Sequence, residues 1–326
     1  MENSFYTQQR DKIIEKKKKA NLYAKTKRSD EVYQRKPEWL KVPLPSGDNY
    51  KNVKKDLREK KLWTVCEEAS CPNLSECWSK KTATMMILGG TCTRACKFCH
   101  VDTGNPKGFL DKSEPQNAAD MVGTMGLKYI VITSVDRDDL KDFGAGHFAE
   151  VVTKVNSLHP ETLVEVLIPD FDAVEEHMHT LAKSNPFVVA QNVETVKRLT
   201  RRVRDPRAGY EKTLSCLDFY KKNYPHISTK TSIMLGLGET KDEVISCLKD
   251  LRGIGVNIVT FGQYLRPTKN HLPVENYLTP AEFDEFKSIS YEMGFDFVAS
   301  GPLVRSSYKA ADYLDHLEKK GLWPRK

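Results

Sequence analysis

The sequence predicts an α/β fold built on a mostly parallel sheet, because short apolar runs and amphipathic stretches alternate from about residue 82 onward. This alternation is typical of parallel strands joined by helical crossovers. A doubly wound open sheet and a six-unit open barrel both fit six such pairs, and periodicity alone does not decide between them. The predicted strands lie at 84–88, 129–133, 163–168, 187–191, 230–235 and 257–263.

Helix patterns separate these strands, and three helices have start signals in the sequence. Ser113 precedes Glu114 and Pro115, the order of an N-cap followed by proline in the first turn. Thr240 and Thr279 are each followed by glutamate three residues later, the order of a capping box. In either architecture, active groups are expected at the carboxyl ends of the strands. The predicted helices lie near 114–125, 147–158, 172–184, 210–222, 240–253 and 280–293.

The amino-terminal segment is polar and basic. Residues 1–36 hold eleven Lys or Arg against five Asp or Glu, so they carry nearly all of the net charge of +7. Such a segment is most typical of a solvated tail or helix face, then of a surface that docks an acidic protein, and least of a nucleic-acid site. Helices are expected near 8–20 and 51–60, with extended chain around Pro37, Pro43 and Pro45.

The chain is expected to act in the cytoplasm. No run approaches the roughly 18 apolar residues that a membrane span needs, and the first residues lack the apolar core of a secretory signal. We divide the chain into a basic extension over 1–47, a cysteine-bearing segment over 48–81, an α/β core over 82–295 and a carboxyl-terminal extension over 296–326.

Eight cysteines are many for a cytoplasmic protein, in which disulfides are rare, and six of them lie between positions 66 and 99. This crowding indicates ligation of a metal or an iron–sulfur cluster. The other two, Cys216 and Cys247, lie inside helix patterns beside apolar residues and are expected to be small buried side chains.

Cys92, Cys96 and Cys99 have the spacing CxxxCxxC and follow the first predicted strand. Three thiolates on one loop can hold three irons of a 4Fe–4S cube, which leaves the fourth iron open to a substrate such as S-adenosylmethionine (SAM). The alternative is a structural zinc site, but that needs a fourth ligand, and the adjacent His100 would strain the geometry. The spacing, with Phe98 just before the last cysteine, closely resembles the radical SAM signature.

Cys66, Cys71 and Cys77 have the spacing CxxxxCxxxxxC, again with no fourth cysteine nearby. A second cube on this triplet needs one more ligand or an open iron. A zinc knuckle and three buried thiols are the alternatives that the spacing leaves open.

From about 40 to 310, the sequence resembles the lipoyl synthase family. The motifs that carry the resemblance are CEEASCPNLSECW at 66–78, GGTCTRACKFCHV at 89–101, TSVDRDDL at 133–140, QNVETV at 191–196, GLGET at 236–240, GQYLRPTKNHLPV at 262–274 and GPLVRSSY at 301–308. The resemblance implies a partial (β/α)6 TIM-type barrel of the radical SAM kind with amino- and carboxyl-terminal extensions. Gln191 departs from the pattern, since histidine is expected there.

The resemblance also implies the ligands of two 4Fe–4S clusters. Cys92, Cys96 and Cys99 are expected to hold the cluster that cleaves SAM. Cys66, Cys71 and Cys77 are expected to hold an auxiliary cluster, with Ser307 of the RSSY motif as its fourth ligand. An alkoxide-type oxygen is a harder and poorer partner for iron than a thiolate, which suits a cluster that is dismantled.

As a member of this family, the chain is expected to be a sulfurtransferase of lipoate biosynthesis. It would insert two sulfur atoms at carbons 6 and 8 of a protein-bound octanoyl-lysine, taking the sulfur from the auxiliary cluster and consuming two SAM molecules per product. The implied partners are octanoylated lipoyl carrier domains, the glycine-cleavage H protein, an electron donor such as flavodoxin or ferredoxin, and an iron–sulfur carrier that rebuilds the cluster. Neither nucleic acid nor a membrane is expected as a partner. The basic segment 1–36 is expected to help dock acidic carriers.

Further residues are expected to contact SAM, because most of them follow the carboxyl ends of predicted strands. The alternatives are another sulfur-inserting radical enzyme, of the biotin-synthase or methylthio-transferring kind, and a zinc-stabilised binding module with a basic tail. The expected SAM contacts are Phe98, Thr133, Ser134, Asp136, Arg137, Asn192, Glu194, Arg204, Gly236 and Glu239.

Overall fold

The computed structural model describes residues 5–26, 35–42, 48–79, 84–307 and 312–321. Its helices are α1 Phe5–Thr26, α2 Asp48–Glu59, α3 Val65–Glu68, α4 Leu74–Ser79, α5 Glu114–Met125, α6 Ala145–Leu158, α7 Glu175–Ala182, α8 Thr200–Val203, α9 Tyr210–Asn223, α10 Lys241–Gly253, α11 Pro280–Glu292 and α12 Asp312–Lys319. Short 3-10 turns lie at Glu38–Leu40, Phe171–Ala173 and Lys197–Leu199. None of the helices in these ranges is long and apolar enough to cross a membrane.

The main sheet has eight strands in the order β1-β2-β5-β6-β7-β8-β9-β10. Its strands from β2 to β10 pair in parallel, and the two-residue β1 pairs antiparallel with β2 at one edge. A separate ribbon pairs β3 with β4. The strands are β1 Trp63–Thr64, β2 Thr84–Ile87, β3 Thr91–Cys92, β4 Asp102–Thr103, β5 Tyr129–Ser134, β6 Leu163–Leu167, β7 Val188–Ala190, β8 Ser228–Leu235, β9 Ile258–Gln263 and β10 Phe297–Ser300.

This arrangement confirms the partial barrel. All six predicted strands are present at nearly the predicted positions, and a helix follows each of them along the chain. The sequence prediction did not include β1 or β10, and β10 lies in the part of the chain that we assigned to the carboxyl-terminal extension. Within the described residues, β10 pairs only with β9, so the barrel stays open at that edge.

Side chains alternate between the two faces of the strands. Ile130, Val164 and Val166 pack into the large core cluster shared with α5 and α6 on the outer face. The first residues of several strands instead face the inside of the barrel, where α12 fills the amino-terminal end. Leu314 packs against Tyr129 and Leu163 there, and Tyr313 and Leu317 pack against Val188 and Ile258.

A buried ion pair lies in the barrel above α12. Lys230 Nζ lies 2.6 Å from Glu165 Oε1, and Tyr129 donates from its hydroxyl to Glu165 Oε2 over 2.5 Å. The Lys230 and Glu165 side chains are only 5% and 2% exposed, so each charge depends on the other for compensation.

The helix caps follow the sequence signals in two of three cases. Thr240 and Thr279 form complete capping boxes with Glu243 and Glu282. Ser113 does not cap α5, because its hydroxyl donates to Asp111 Oδ1 instead. Pro37 is extended as expected, while Pro43 and Pro45 lie outside the described residues.

Candidate active site

A cavity of about 480 Å³ opens where the parallel strands reach their carboxyl ends. All six cysteines of the two triplets line it, together with Ser307 from the other end of the chain. Its volume lies within the roughly 300–1,000 Å³ of small-molecule sites in proteins. The fold therefore brings both predicted ligand sets to one cavity.

The second cysteine triplet begins at the end of β3 and continues on the loop to β4, and hydrogen bonds hold it to two other segments. Thr93 N donates to Asp136 O over 3.0 Å, and Lys97 N donates to Val203 O over 2.9 Å. Asp205 reaches the same loop twice, since its Oδ2 accepts from Ala95 N and its own N lies 3.3 Å from Cys96 Sγ. These contacts fix the positions of Cys92, Cys96 and Cys99 relative to the barrel.

Arg94, between the first two of these cysteines, is the centre of a buried charge network. Its guanidinium makes a bidentate pair with Asp170, at 2.7 and 2.8 Å, and also pairs with Asp138 at 2.9 Å and with Asp136 at 3.3 Å. The Arg94 side chain is 3% exposed. A bidentate guanidinium fixes direction as well as distance, so Arg94 ties the cysteine loop to the ends of β5 and β6.

The first cysteine triplet lies on α3, α4 and the turn between them. Thr64 caps α3 by accepting from Glu67 N, and Cys71 N donates to Cys66 O over 3.0 Å to form the turn after the helix. Cys77 N donates to Asn73 O over 2.9 Å. Local hydrogen bonds thus bring three cysteines that are five and six positions apart to one side of the segment.

The carboxyl-terminal motif adjoins this first triplet. Asn73 Nδ2 donates to Leu303 O over 2.6 Å, a contact between residues 230 positions apart. The Arg305 guanidinium lies close enough to the Cys71 thiol to act on it electrostatically. Ser306 and Ser307 continue along the cavity wall. The segment that ends in Ser307 therefore lies beside Cys71, where a fourth ligand of the first triplet is expected.

The wall near the second triplet carries buried polar atoms that have no hydrogen-bond partner among the described residues. They include Ser134 Oγ, Asn192 Oδ1 and Arg204 Nε. Asn192 Nδ2 donates to Glu194 Oε1 over 3.0 Å. Because unpaired buried polar atoms are unfavourable, this wall fits a polar ligand such as SAM.

Glu194 has an unusual backbone conformation in the same wall. Its φ is +66°, in the left-handed region that non-glycine residues rarely adopt. Two hydrogen bonds to β8 hold it there, from Glu194 N to Ser232 O and from Met234 N to Glu194 O. Burial raises the pKa of its carboxyl group, against the opposing effects of the Arg204 charge and the Asn192 hydrogen bond. Residues held in this way are concentrated at functional sites.

The thiols of both triplets are shielded from water. Burial raises the pKa of Cys66 and Cys96 to about 12 and that of Cys99 to about 11, and it also raises those of Cys71 and Cys92. A coordinated metal deprotonates a thiol outright, so such buried thiols suit cluster ligation. Burial likewise raises the pKa of Asp136, beside Cys92, to about 6, although the Arg94 charge opposes it.

The described residues contain no group of three or more His, Cys, Asp or Glu side chains placed to hold a single metal ion. A cube differs from a single ion, because each thiolate binds a different iron and the ligands need not converge on one point. Cys216 and Cys247 are buried in α9 and α10, as predicted, and neither lines the cavity. The residues present therefore fit two three-cysteine cluster sites and a polar cofactor between them.

Most of the predicted SAM contacts line the cavity, but three do not. The Arg137 guanidinium pairs with Asp139 and donates to Leu88 O, away from the cavity. The Glu239 carboxylate accepts from the backbone N of Gly236 and Leu237. The residues that do line it are Phe98, Thr133, Ser134, Asp136, Asn192, Glu194 and Arg204.

Gly236 has a different reason to be glycine than approach to a ligand. Its φ is +100°, and a Cβ there would lie 2.5 Å from Asn276 O and 2.2 Å from the Gln263 side chain. The close neighbour of Gly236 is thus the protein itself, and we withdraw the expectation that Gly236, Glu239 and Arg137 contact SAM.

Sequence reasoning missed Arg94, Asp170 and Arg305. Asp170 was within reach, because it comes directly after the third predicted strand, where active groups were expected. Arg94 carried no signal of its own, since its partners are 42 to 76 positions away along the chain. Arg305 was read only as part of the RSSY motif.

Two family profiles match this chain, and known proteins are similar to it over most of its length. Residues 86–251 match the family profile described as the radical SAM superfamily. Residues 6–71 match the N-terminal domain of lipoyl synthase of the radical SAM family. A lipoyl synthase of Marinobacter nauticus is 58% identical over 282 residues, which span 86% of this chain and 81% of that protein. A lipoyl synthase of Francisella tularensis subsp. novicida is 54% identical over 286 residues, 88% of each chain.

Solved structures show the same fold at low sequence identity. Streptococcus suis SuiB bound to S-adenosylmethionine aligns with a TM-score of 0.52 and 9% identity, over 92% of this chain and 62% of SuiB. The FeFe-hydrogenase maturase HydG from Carboxydothermus hydrogenoformans aligns with a TM-score of 0.50 and 16% identity, over 72% of this chain and 65% of HydG. At such identities the likeness concerns the fold alone.

Proposed function

The chain belongs to the lipoyl synthase family of radical SAM enzymes, and we propose that its two cysteine triplets hold two 4Fe–4S clusters with different roles in one reaction. The enzyme binds SAM and iron–sulfur clusters, and its reaction is radical insertion of two sulfur atoms at carbons 6 and 8 of a protein-bound octanoyl-lysine. The observation that carries the proposal is the single cavity that all six cysteines and Ser307 line.

The SAM-cleaving cluster is held by Cys92, Cys96 and Cys99 of the second triplet, which leave one iron open for SAM. With SAM bound, this site supplies a primary carbon radical, which can remove hydrogen from the unactivated carbons of the octanoyl chain. The auxiliary cluster supplies the sulfur. Asn192, Glu194 and Arg204 orient SAM from the cavity wall. Unpaired buried atoms of Asn192 and Arg204 support this role, and Glu194 accepts a hydrogen bond from Asn192 beside them.

The auxiliary cluster is held by the first triplet, Cys66, Cys71 and Cys77, together with Ser307. The contact between Asn73 and Leu303 supports this assignment, because it holds the segment of Ser307 against the first triplet. A hydroxyl oxygen binds iron more weakly than thiolate does, so the iron beside Ser307 is the one most easily released when sulfur leaves.

The enzyme needs an octanoylated substrate protein and a reductant. We assign the substrates as lipoyl carrier domains and the glycine-cleavage H protein, the reductant as a flavodoxin or ferredoxin, and the source of new clusters as an iron–sulfur carrier. We assign docking of acidic carriers to the basic segment 1–36, in which Arg10, Lys16, Lys17 and Lys19 already pair with acids of this chain.

Iron analysis of cysteine variants tests the two-cluster proposal. After anaerobic reconstitution the protein should contain about eight irons, and Cys71→Ala and Cys96→Ala should each retain about four. Cys96→Ala should lose SAM cleavage, whereas Cys71→Ala should cleave SAM without inserting sulfur. Cys247→Ala, a buried cysteine outside the cavity, is the matched control and should retain all the iron. A colourless protein with stoichiometric zinc would contradict the proposal.

A further inference from the structure

One face of α1 lies against both cysteine segments. The side chains on this face recur every three or four residues, which is the spacing of one side of a helix. Two of them are apolar and buried, Tyr6 and Ile13. The others are polar or basic and contact the protein. Among the described side chains of α1, the set is Tyr6, Gln9, Arg10, Ile13, Lys16 and Lys17.

The first contacts of this face are with the segment of the first triplet. Lys17 Nζ pairs with Glu68 Oε2 at 2.8 Å and donates to Glu68 O over 3.1 Å. Arg10 pairs with Glu67 at 3.5 Å, and Tyr6 donates from its hydroxyl to Leu62 O over 3.1 Å. Glu67 and Glu68 belong to α3, the helix that carries Cys66.

The same face also contacts the ribbon of the second triplet. Lys16 pairs with Asp102 and donates to Thr103 O over 3.0 Å, and Gln9 Nε2 donates to Thr91 Oγ1 over 3.1 Å. Thr91 and Asp102 belong to β3 and β4, and β3 contains Cys92. The Lys17 ammonium also lies near Cys99 and His100.

The Lys17–Glu68 pair is shielded enough to hold the helix in place, and the Lys16–Asp102 pair is shielded on its acidic side. The Lys17 side chain is 23% exposed and that of Glu68 7%, whereas Lys16 is 58% exposed and its partner Asp102 12%. Removing one partner of such a pair leaves a partly buried charge without compensation, which is a larger effect than loss of a surface pair. The segment of the first triplet has only a short pairing with the main sheet, since β1 pairs with β2 at only two positions.

We propose that α1 is a clamp that sets the separation of the two cysteine segments, with Lys16 and Lys17 as its positioning residues. The inference rests on the proposed two-cluster function. The radical formed at one triplet has to remove a hydrogen from a carbon held next to sulfur at the other. A misplacement of about 1 Å between reacting groups can slow a reaction about a hundredfold. Looser cysteine segments would therefore allow SAM cleavage that yields no sulfur insertion.

The test compares Lys16→Glu/Lys17→Glu with Lys18→Glu/Lys19→Glu in the reconstituted full-length enzyme. Both variants change the charge of the same helix by the same amount, but among the described residues Lys18 and Lys19 form no ion pair with a cysteine segment, and Lys19 pairs with the exposed Glu15. A third variant adds Glu68→Lys and Asp102→Lys to the first, which reverses both ion pairs and restores opposite charges. An octanoylated peptide serves as the substrate, so that docking of carrier domains does not affect the result.

Two readouts are measured. Hydrogen exchange of the peptides 65–71 and 101–104 should be about tenfold faster in Lys16→Glu/Lys17→Glu. The ratio of 5′-deoxyadenosine to lipoyl product should rise about fivefold in the same variant. The control should match the wild type in both, and the charge-reversed variant should recover most of each change.

Faster exchange in α1 alone, with an unchanged product ratio, would overturn the proposal, and so would equal effects in the control. If only one of the two cysteine segments loosened, α1 would be a local support and not a clamp. If wild-type enzyme cleaved SAM but inserted no sulfur, the proposed function would fail instead. The exchange measurement would still decide whether α1 holds both segments.

Discussion

Gly262→Ala is expected to separate SAM cleavage from sulfur insertion. Gly262 lies in β9 beside the segment that leads to Ser307, and a Cβ added to it would lie 2.0 Å from Val304 O. A carbon–oxygen contact closer than about 3.3 Å is unfavourable, so the Val304 carbonyl has to retreat by about 1.3 Å. Val304 is three residues before Ser307. A shift of that size would disrupt the proposed coordinate bond between Ser307 and iron.

We expect Gly262→Ala to reduce sulfur insertion about a hundredfold while 5′-deoxyadenosine formation continues. The overpacking should also destabilise the fold by about 1–3 kcal/mol, which a lower melting temperature would reveal. Both products can be quantified by mass spectrometry of one reaction, and Mössbauer spectra of the variant should show the iron beside Ser307 altered or absent.

Gly301→Ala is the matched control, because a Cβ there meets only Val304 Cγ2 at 3.5 Å, an ordinary contact. It should insert sulfur at the wild-type rate. The reasoning would be refuted if Gly262→Ala inserted sulfur normally, or if it lost SAM cleavage and sulfur insertion to the same extent.

Three further predictions concern the barrel and the cysteine loop. Lys230→Met should destabilise the protein by about 3–5 kcal/mol, since Glu165 then has no cation, and adding Glu165→Leu should restore much of the melting temperature. Tyr313→Ala should weaken the packing of α12 in the barrel by about 3–5 kcal/mol of free energy and speed proteolysis of that helix. Leu158→Ala, at a side chain that is 49% exposed, should do neither. Arg94→Lys should remain folded but retain about four fewer irons and cleave little SAM, because lysine cannot make the bidentate contact to Asp170.

Local signals gave reliable predictions of local structure. Thr240 and Thr279 cap their helices as predicted, because a capping box involves residues only three positions apart. The failure at Ser113 is also local, since Asp111 competes for the same hydroxyl. The strand β10 was missed because its apolar run is only three residues, Phe297 to Ala299, and most of the strand is half-buried.

The candidate site was likewise predicted only in part from the sequence. The cysteine spacings and the resemblance gave the residues that line the cavity, but they could not give the direction in which Arg137 or Glu239 points. Arg137 pairs with Asp139 two residues on and also donates to the distant Leu88 O, and Glu239 accepts from the nearby Gly236 N. Arg94 and Asp170 meet only because β2 and β6 are brought together in the barrel, which no short pattern in the sequence reports. The pairing of α1 with both cysteine segments likewise depends on tertiary structure.

For the basic segment 1–36, charge predicted the kind of partner but not which molecule carries it. Its charge suggested a surface for an acidic partner, and the nearest acidic partners of Arg10, Lys16 and Lys17 are Glu67, Glu68 and Asp102 of the same chain. Arg10 and Lys17 are only partly exposed, so a carrier domain would meet a smaller basic surface than the composition indicates.

The most direct test of the account is mass spectrometry of an octanoylated carrier peptide after anaerobic incubation with the reconstituted enzyme, SAM and a reductant. The account predicts that the peptide gains two sulfur atoms and that Ser307→Ala abolishes this gain while 5′-deoxyadenosine still forms. Labelling the clusters with a heavy sulfur isotope should transfer the label to both positions. SAM cleavage without any sulfur gain by the wild-type enzyme, or full sulfur insertion by Ser307→Ala, would contradict it.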